Sequence, residues 1–401
     1  MSDQALAGRD EKSDVRVALT RGGPPENEIV VRSSVVRLYG PQIRRSVEQT
    51  LRTLGVSGVK AEIDDRGALD WVLMARVEAA AKRLFPDLTG EALPDRSSPT
   101  APTVRLRLRR SRLYLPGVNP DLMQNAGLFK PDGVILDLED SVAPAEKDAA
   151  RIMVRNALCA VDFFGAERMV RINQLPAGLH DLPAIVPRGV NVILIPKVEE
   201  PTHVKQVAEA VQQIAARHGR HDPIWLMPIL ESARGCWNAY PIAVASETVC
   251  ALAFGAEDFT RDIQAERTLA GHESFVARSL VVLGARAAGV QPIDTVFSDV
   301  ENMDALRQST KEALALGFEG KGCIHPRQIA VIHDAFRPTD EEIRYALKVR
   351  AAMEDAERTG SGVISLGTKM IDPPVVARAK RTLRVAEEMG IDVQALASAP
   401  A

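Results

Sequence analysis

Gly133-Val-Ile-Leu-Asp-Leu-Glu139 and Val190-Asn-Val-Ile-Leu-Ile-Pro-Lys197 are short apolar runs that end abruptly in charged residues. A strand with one wet face alternates apolar and polar positions, so unbroken Val/Ile/Leu suits parallel strands buried on both faces. Similar runs begin near Arg112, Arg168, Ile224, Ala251, Ile293 and Lys321, which makes eight in all, and each but the last is followed by an amphipathic stretch. Eight such alternations predict a closed (β/α)8 TIM barrel of the α/β class. Helix starts keep the same phase: Asn119-Pro120 reads as an N-cap with proline at the first helical position, and Thr339-Asp-Glu-Glu342 as a capping box. An open doubly wound sheet would carry a glycine-rich first turn. Tyr114-Leu-Pro-Gly-Val-Asn-Pro120 has no G-x-G-x-x-G, and neither a Walker A sequence nor an internal repeat is found.

Upstream, Glu28–Val31 and Val59–Ile63 read as strands and Pro41–Leu54 and Ala68–Leu84 as helices, a small α+β unit. The Pro, Ser and Thr concentrated between Asp87 and Thr103 read as an extended linker. The expected domains are therefore 1–88, a linker over 89–104, and 105–401 for the barrel with a C-terminal helical extension.

With 401 residues, a net charge of −3 and no Lys/Arg-rich block, the chain is large enough for two cores and unsuited to nucleic acid. Cys159, Cys236, Cys250 and Cys323 form no Cys-x-x-Cys pair, which argues against zinc, iron–sulfur clusters and a disulfide framework. They are expected as small buried hydrophobes in a reducing compartment. No apolar signal core and no membrane span are found, and a cytoplasmic location without membrane partners is expected.

In a (β/α)8 barrel the chemistry sits where the strands end. Strand two ends Asp137-Leu-Glu139-Asp140, strand three Arg171-Ile-Asn173, strand four Pro196-Lys197, strand five Leu230-Glu231-Ser232 and strand six Gly255-Ala-Glu257-Asp258. Hard oxygen donors without thiolate or clustered imidazole suit magnesium, and Glu231 and Asp258 fall at adjacent strands. For either carboxylate alone, a helix cap is the plain alternative. Arg171 can grip a carboxylate or a developing enolate oxygen by paired hydrogen bonds, or form an internal ion pair with Asp137 or Glu139. Lys197 can bind substrate or simply neutralise nearby carboxylates. Asp372, before Pro373, reads as a helix N-cap. His325 reads as a satisfied residue at the end of strand eight.

Arg110-Ser-Arg-Leu-Tyr-Leu-Pro-Gly, Val134-Ile-Leu-Asp-Leu-Glu-Asp-Ser-Val, Arg171-Ile-Asn, Ile229-Leu-Glu-Ser, Gly255-Ala-Glu-Asp and Gly362-Val-Ile-Ser-Leu-Gly-Thr-Lys-Met-Ile-Asp-Pro-Pro-Val resemble the citrate lyase beta-subunit (HpcH/HpaI aldolase/citrate lyase) family over residues 105–392. The resemblance implies a lyase acting on acyl thioesters, with Glu231 and Asp258 as Mg2+ ligands. It also implies Arg112, Arg171 and Lys197 as substrate-binding residues, Arg171, Glu139 and Asp140 in the catalytic set, and Asp372 as an acid/base reaching a neighbouring subunit. Ala7-Gly-Arg-Asp-Glu-Lys-Ser-Asp-Val, Val35-Val-Arg-Leu-Tyr-Gly-Pro-Gln-Ile and Asp64-Asp-Arg-Gly-Ala-Leu-Asp resemble the citrate lyase gamma subunit, an acyl carrier protein. In that family a serine carries a CoA-derived prosthetic arm. An ungapped match puts Lys12 there, leaving attachment at the adjacent Ser13 or a carrier domain that has lost its arm.

The implied reaction cleaves a citryl, citramalyl or malyl thioester, on CoA or a carrier, to a 2-oxo acid and an acetyl-type thioester. Expected partners are the acyl thioester, a citrate lyase alpha-like subunit and further copies of the chain, as a trimer or other homo-oligomer. A non-catalytic carrier or scaffold and a Mg-dependent aldolase using free pyruvate are the competing readings.

Overall fold

The computed structural model describes residues 3–94, 102–359, 365–366 and 369–398. The chain divides into two compact units, Met1–Ile329 and Ala330–Ala401. Part of the Pro/Ser/Thr segment, 95–101, and positions 362–364, 367 and 368 of the Gly362 motif lie outside the described residues.

The first unit opens with a four-stranded sheet in the order β1 (Gln4–Ala7), β2 (Val15–Arg21), β4 (Val59–Asp65), β3 (Glu28–Ser33). Helices α1 (Val36–Thr53) and α2 (Asp70–Leu84) complete this small α+β fold. β1 and β2 go beyond the sequence reading, and α1 starts before Pro41 and keeps that proline inside it. The described ends of the expected linker are packed rather than free: Glu78 accepts from the Ala92 amide at 2.7 Å, and Thr103 donates to Glu167 at 2.6 Å.

Eight parallel strands then close into the expected barrel: β5 (Ser111–Pro116), β6 (Gly133–Asp137), β7 (Glu167–Arg171), β8 (Val192–Ile195), β9 (Trp225–Leu230), β10 (Ala251–Phe254), β11 (Gln291–Asp294) and β12 (Gly320–Cys323). Each lies within two residues of its expected start. The interior is packed by Ile135, Met169, Val192, Leu194, Met227, Ile229, Ala251, Ala253 and Ile293. All four cysteines are buried, and none of them is in a disulfide. At the bottom of the barrel, Arg109 and Glu167 form a fully buried pair at 2.7 Å, a structural closure on the face away from the chemistry.

In the second unit, helices Asp340–Thr359 and Pro373–Glu388 pack through Ile343, Ala346, Val349, Leu383 and Ala386. The expected capping box is formed: Thr339 N donates to Glu342 at 2.8 Å and Glu342 N to Thr339 Oγ1 at 3.2 Å. Among the described residues, no helix is long and apolar enough to cross a membrane.

Candidate active site

Side chains two apart on a strand share a face, so the residues after the barrel's apolar layer point inward at its upper rim. Ile135 is followed by Asp137, Met169 by Arg171 and Ile229 by Glu231. Asp137 and Arg171 are direct partners in the β6–β7 register. They form a two-pronged pair, Arg171 Nε donating to Asp137 Oδ1 at 2.6 Å and Nη2 to Oδ2 at 2.7 Å. Both are well shielded. Burial works against the Arg171 cation, but the Asp137 bonds outweigh it and raise its pKa further above the ordinary value. Burial likewise opposes the Asp137 charge, and Arg171 overcomes it, holding that carboxyl below its usual range.

These residues border a cavity of about 470 Å³, which also touches Arg112, Tyr114, Asp140, Glu231, Asp258, Asp294 and Thr295. Glu231 is buried, and its Oε1 accepts from the Lys197 amide at 2.8 Å. Lys197 adopts a left-handed backbone, φ 50°, which is sparsely populated for a residue with a Cβ and here aims that amide at the carboxylate. Burial first, then the charges of Asp258 and Glu139, push the Glu231 carboxyl up to about 8. Asp258 lies beyond the strand end, in the first turn of helix Ala256–Asp262, whose N-cap is Gly255. It pairs with Arg261 at 2.5 Å and with Lys197 at 3.6 Å.

Lys197 Nζ also reaches Glu139 at 3.2 Å and Asp140 at 3.8 Å. Its neutralising role is thus realised in this state, as is the internal ion pair of Arg171. Gln174 donates to Glu139 Oε1 at 2.9 Å. Glu139 Oε2 lies 2.7 Å from Arg171 Nη1 without the alignment of a hydrogen bond. Burial raises the Glu139 carboxyl, with Asp140 adding to it. Asp137, Glu139, Asp140, Glu231 and Asp258 therefore crowd around Arg171 and Lys197, an environment that favours a further cation.

The donors are all hard oxygens. Among the described residues no cluster of three His, Cys, Asp or Glu forms a ready-made cage. Two carboxylates, with water and substrate completing the shell, is the usual magnesium arrangement. Glu231 and Asp258 fit Mg2+ on these grounds.

The cavity floor has the opposite polarity. Arg112, 1% exposed, donates to the Asp294 carbonyl at 3.3 Å and leaves its Nε without a hydrogen-bond partner. Beside it, Asp294 bonds Lys321 at 2.8 Å and Arg278 at 2.9 and 3.0 Å. Sequence reasoning missed Asp294, Thr295, Gln174 and Tyr114. The Asp294-Thr295 pair ends strand seven and carried the same signal as the other strand ends.

Two further expected site residues belong to other parts of the chain. Ser13, in the first sheet domain, is 7% exposed with its Oγ 2.8 Å from Asp121 Oδ1. Asp372 is in the second unit, exposed, at the N-cap of helix Pro373–Glu388, where its side chain makes no capping hydrogen bond.

Residues 110–326 match the family model described as HpcH/HpaI aldolase/citrate lyase, and residues 2–84 match an ACP model described as malonate decarboxylase delta subunit. Among curated relatives, citrate lyase subunit beta from Leuconostoc mesenteroides subsp. cremoris is 40% identical, over 70% of this chain and 94% of that one. Mitochondrial citramalyl-CoA lyase from Rattus norvegicus is 33% identical, over 69% and 86%. A crystal structure of protein CitE from Mycobacterium tuberculosis in complex with magnesium, acetoacetate and coenzyme A is similar at a TM-score of 0.57 and 29% identity, covering 71% of this chain and 100% of that one.

Proposed function

The chain belongs to the HpcH/HpaI aldolase/citrate lyase family, and on that premise we propose that it is a magnesium-dependent carbon–carbon lyase. Its substrate is a 3-hydroxy-3-carboxyacyl thioester of the citryl, citramalyl or malyl type, and its products are a 2-oxo acid and an acetyl-type thioester. The observation that carries this reading is one cavity with two polarities: the carboxylates Glu231 and Asp258 on its wall, and the buried, incompletely bonded Arg112 on its floor.

Glu231 and Asp258 would hold Mg2+, which supplies Lewis-acid polarisation of the substrate's hydroxyl and carboxylate oxygens. Arg171 is oriented in advance by Asp137, which leaves Nη1, 2.7 Å from Glu139 and 3.5 Å from the half-exposed Asp140, as the end that would meet a substrate oxygen. Cleavage moves the electrons of the bond between the hydroxyl-bearing carbon and the thioester α-carbon onto the thioester carbonyl. Arg171 and Arg112 are the cations that would steady that oxygen or the substrate carboxylate. Glu139 and Asp140 would take up the hydroxyl proton, and Asp372, acting from a neighbouring subunit, would protonate the new methyl carbon.

The test is turnover of citryl-, citramalyl- and malyl-CoA beside the corresponding free hydroxy acids, with Mg2+ and with chelator. Turnover confined to thioesters and lost on chelation is expected. Equal turnover of free acids would favour the aldolase reading, and none with any thioester would favour a carrier or scaffold. Glu231→Gln and Asp258→Asn should each abolish turnover with the fold intact; wild-type turnover in either sinks the metal assignment.

A further inference from the structure

We propose that the amino-terminal domain is a fixed brace for the first βα loop of the barrel, latched through Ser13 and Arg76, and not a carrier that presents an arm at Ser13. The latch begins at the serine itself. Ser13 has φ 61° and its amide donates to Arg66 O at 3.0 Å, which turns its hydroxyl towards the barrel. There it donates to Asp121 at 2.8 Å and accepts from Gln124 at 3.1 Å, both on the short helix Pro120–Gln124. Lys12 adds an ammonium 3.2 Å from the same Asp121. A phosphate-linked arm on Oγ would remove the only O–H donor and set an anion against the Asp121 carboxylate.

Arg76 makes the second attachment. It is 1% exposed, holds Asp14 by two bonds of 2.9 and 2.8 Å, and donates to Val118 O at 2.8 Å. Val118 lies in the turn between β5, whose Leu115 and Pro116 border the cavity, and the Asp121 helix. In the same turn Gly117 N donates to Asp137 O at 2.8 Å, and a Cβ at Gly117 would come 2.5 Å from that oxygen, so the two backbones are pressed together. Asp137 in turn orients Arg171. Two backbone contacts thus separate a buried side chain of the first domain from the arginine at the cavity.

The rest of the interface is as fixed. Glu78 on α2 and Arg155 on helix Lys147–Ala160 form a buried two-bond pair at 2.9 and 2.7 Å, and Arg83 grips Asp148 at 2.7 and 2.6 Å. Breaking the buried Glu78–Arg155 pair together with the Arg76–Val118 and Arg83–Asp148 bonds in each cycle would cost more than a delivery motion can recover. The thioester therefore arrives by diffusion, on CoA or on a separate carrier.

Hydrogen exchange on the full chain tests the brace, through the amides of residues 117–124 in wild type, Arg76→Met, Ser13→Ala, Asp121→Ala and Arg83→Met. Exchange about tenfold faster in Arg76→Met, and a few-fold faster in Ser13→Ala and Asp121→Ala, is expected. Arg83→Met, which loosens the interface away from this loop, should leave it unchanged. Unaltered exchange in the first three variants, or an equal rise in Arg83→Met, overturns the brace; should Arg76→Met fail to fold, the two milder variants decide. The Ser13 peptide of the chain made in its own host should have its unmodified mass, and an adduct on it overturns the proposal. The proposal rests on the lyase reading only for the use of the loop. Neither readout needs turnover, so the two ideas fail separately.

Discussion

At Gly255 a single methyl group is decisive. An added Cβ would lie 2.5 Å from Glu231 Oε2 and 2.8 Å from its Cβ, so Gly255→Ala must displace the carboxylate assigned to the metal. The Mg2+ concentration for half-maximal turnover should rise about 10–100-fold, read by titrating activity, while far-UV circular dichroism stays unchanged. Arg171→Lys keeps the charge and loses the fork that matches Asp137. Its kcat/KM should fall about 10–100-fold, and a value within about twofold of wild type would show that the fork is dispensable. Glu231 and Arg171 were readable because inward-facing residues follow an apolar strand with a period of two. Asp258 was read at a strand end and lies a turn later, since Gly255 already starts the helix. Asp294 carries the same strand-end signal, whereas its pairing with Arg278 and Lys321 joins other elements and is not displayed by sequence order.

Among the elements, the barrel strands were the most readable, because burial on both faces leaves a continuous apolar run in each. β1 has only four residues and is defined by its pairing with β2, so it leaves little local trace. Pro41 suggested a helix start, yet α1 keeps it in its second turn at the loss of one ladder bond. Pairings between elements carry the clearest pH signature. Burial opposes the Glu78 charge, but the Arg155 bond and charge, helped by Lys82 and the Ala92 amide, hold its carboxyl below the ordinary 4.5. A depressed folded pKa means that the stabilisation is fully present above 4.5 and is lost as pH falls through the lower folded value. Glu78→Gln should therefore melt lower than wild type at neutral pH, by roughly the 3–5 kcal/mol expected when a buried pair loses one partner. The gap should narrow as pH drops below 4.5. A gap that stays the same at every pH would show that the Glu78 charge is not the source of the difference.

On the scale of the whole molecule, the proposed acid is Asp372. Asp372 is set in the second unit, apart in the chain from every strand end of the barrel, with an exposed carboxylate that caps no amide of the helix it precedes. A carboxylate with a purely local capping duty would hold one of those free N–H groups, and its loss would cost about 1 kcal/mol of stability. Without that bond, Asp372→Asn should leave the melting temperature unchanged and remove turnover. If the carboxylate serves a site on another copy of the chain, Asp372→Asn and Arg171→Ala subunits damage different halves of one site. Each variant alone should be inactive, and subunits unfolded, mixed and reassembled together should recover activity, since some assembled sites then pair an intact Arg171 with an intact Asp372. Recovery that grows with the balance of the mixture supports a shared site in an oligomer. No recovery at any ratio, with assembly verified by mass, returns Asp372 to its own chain.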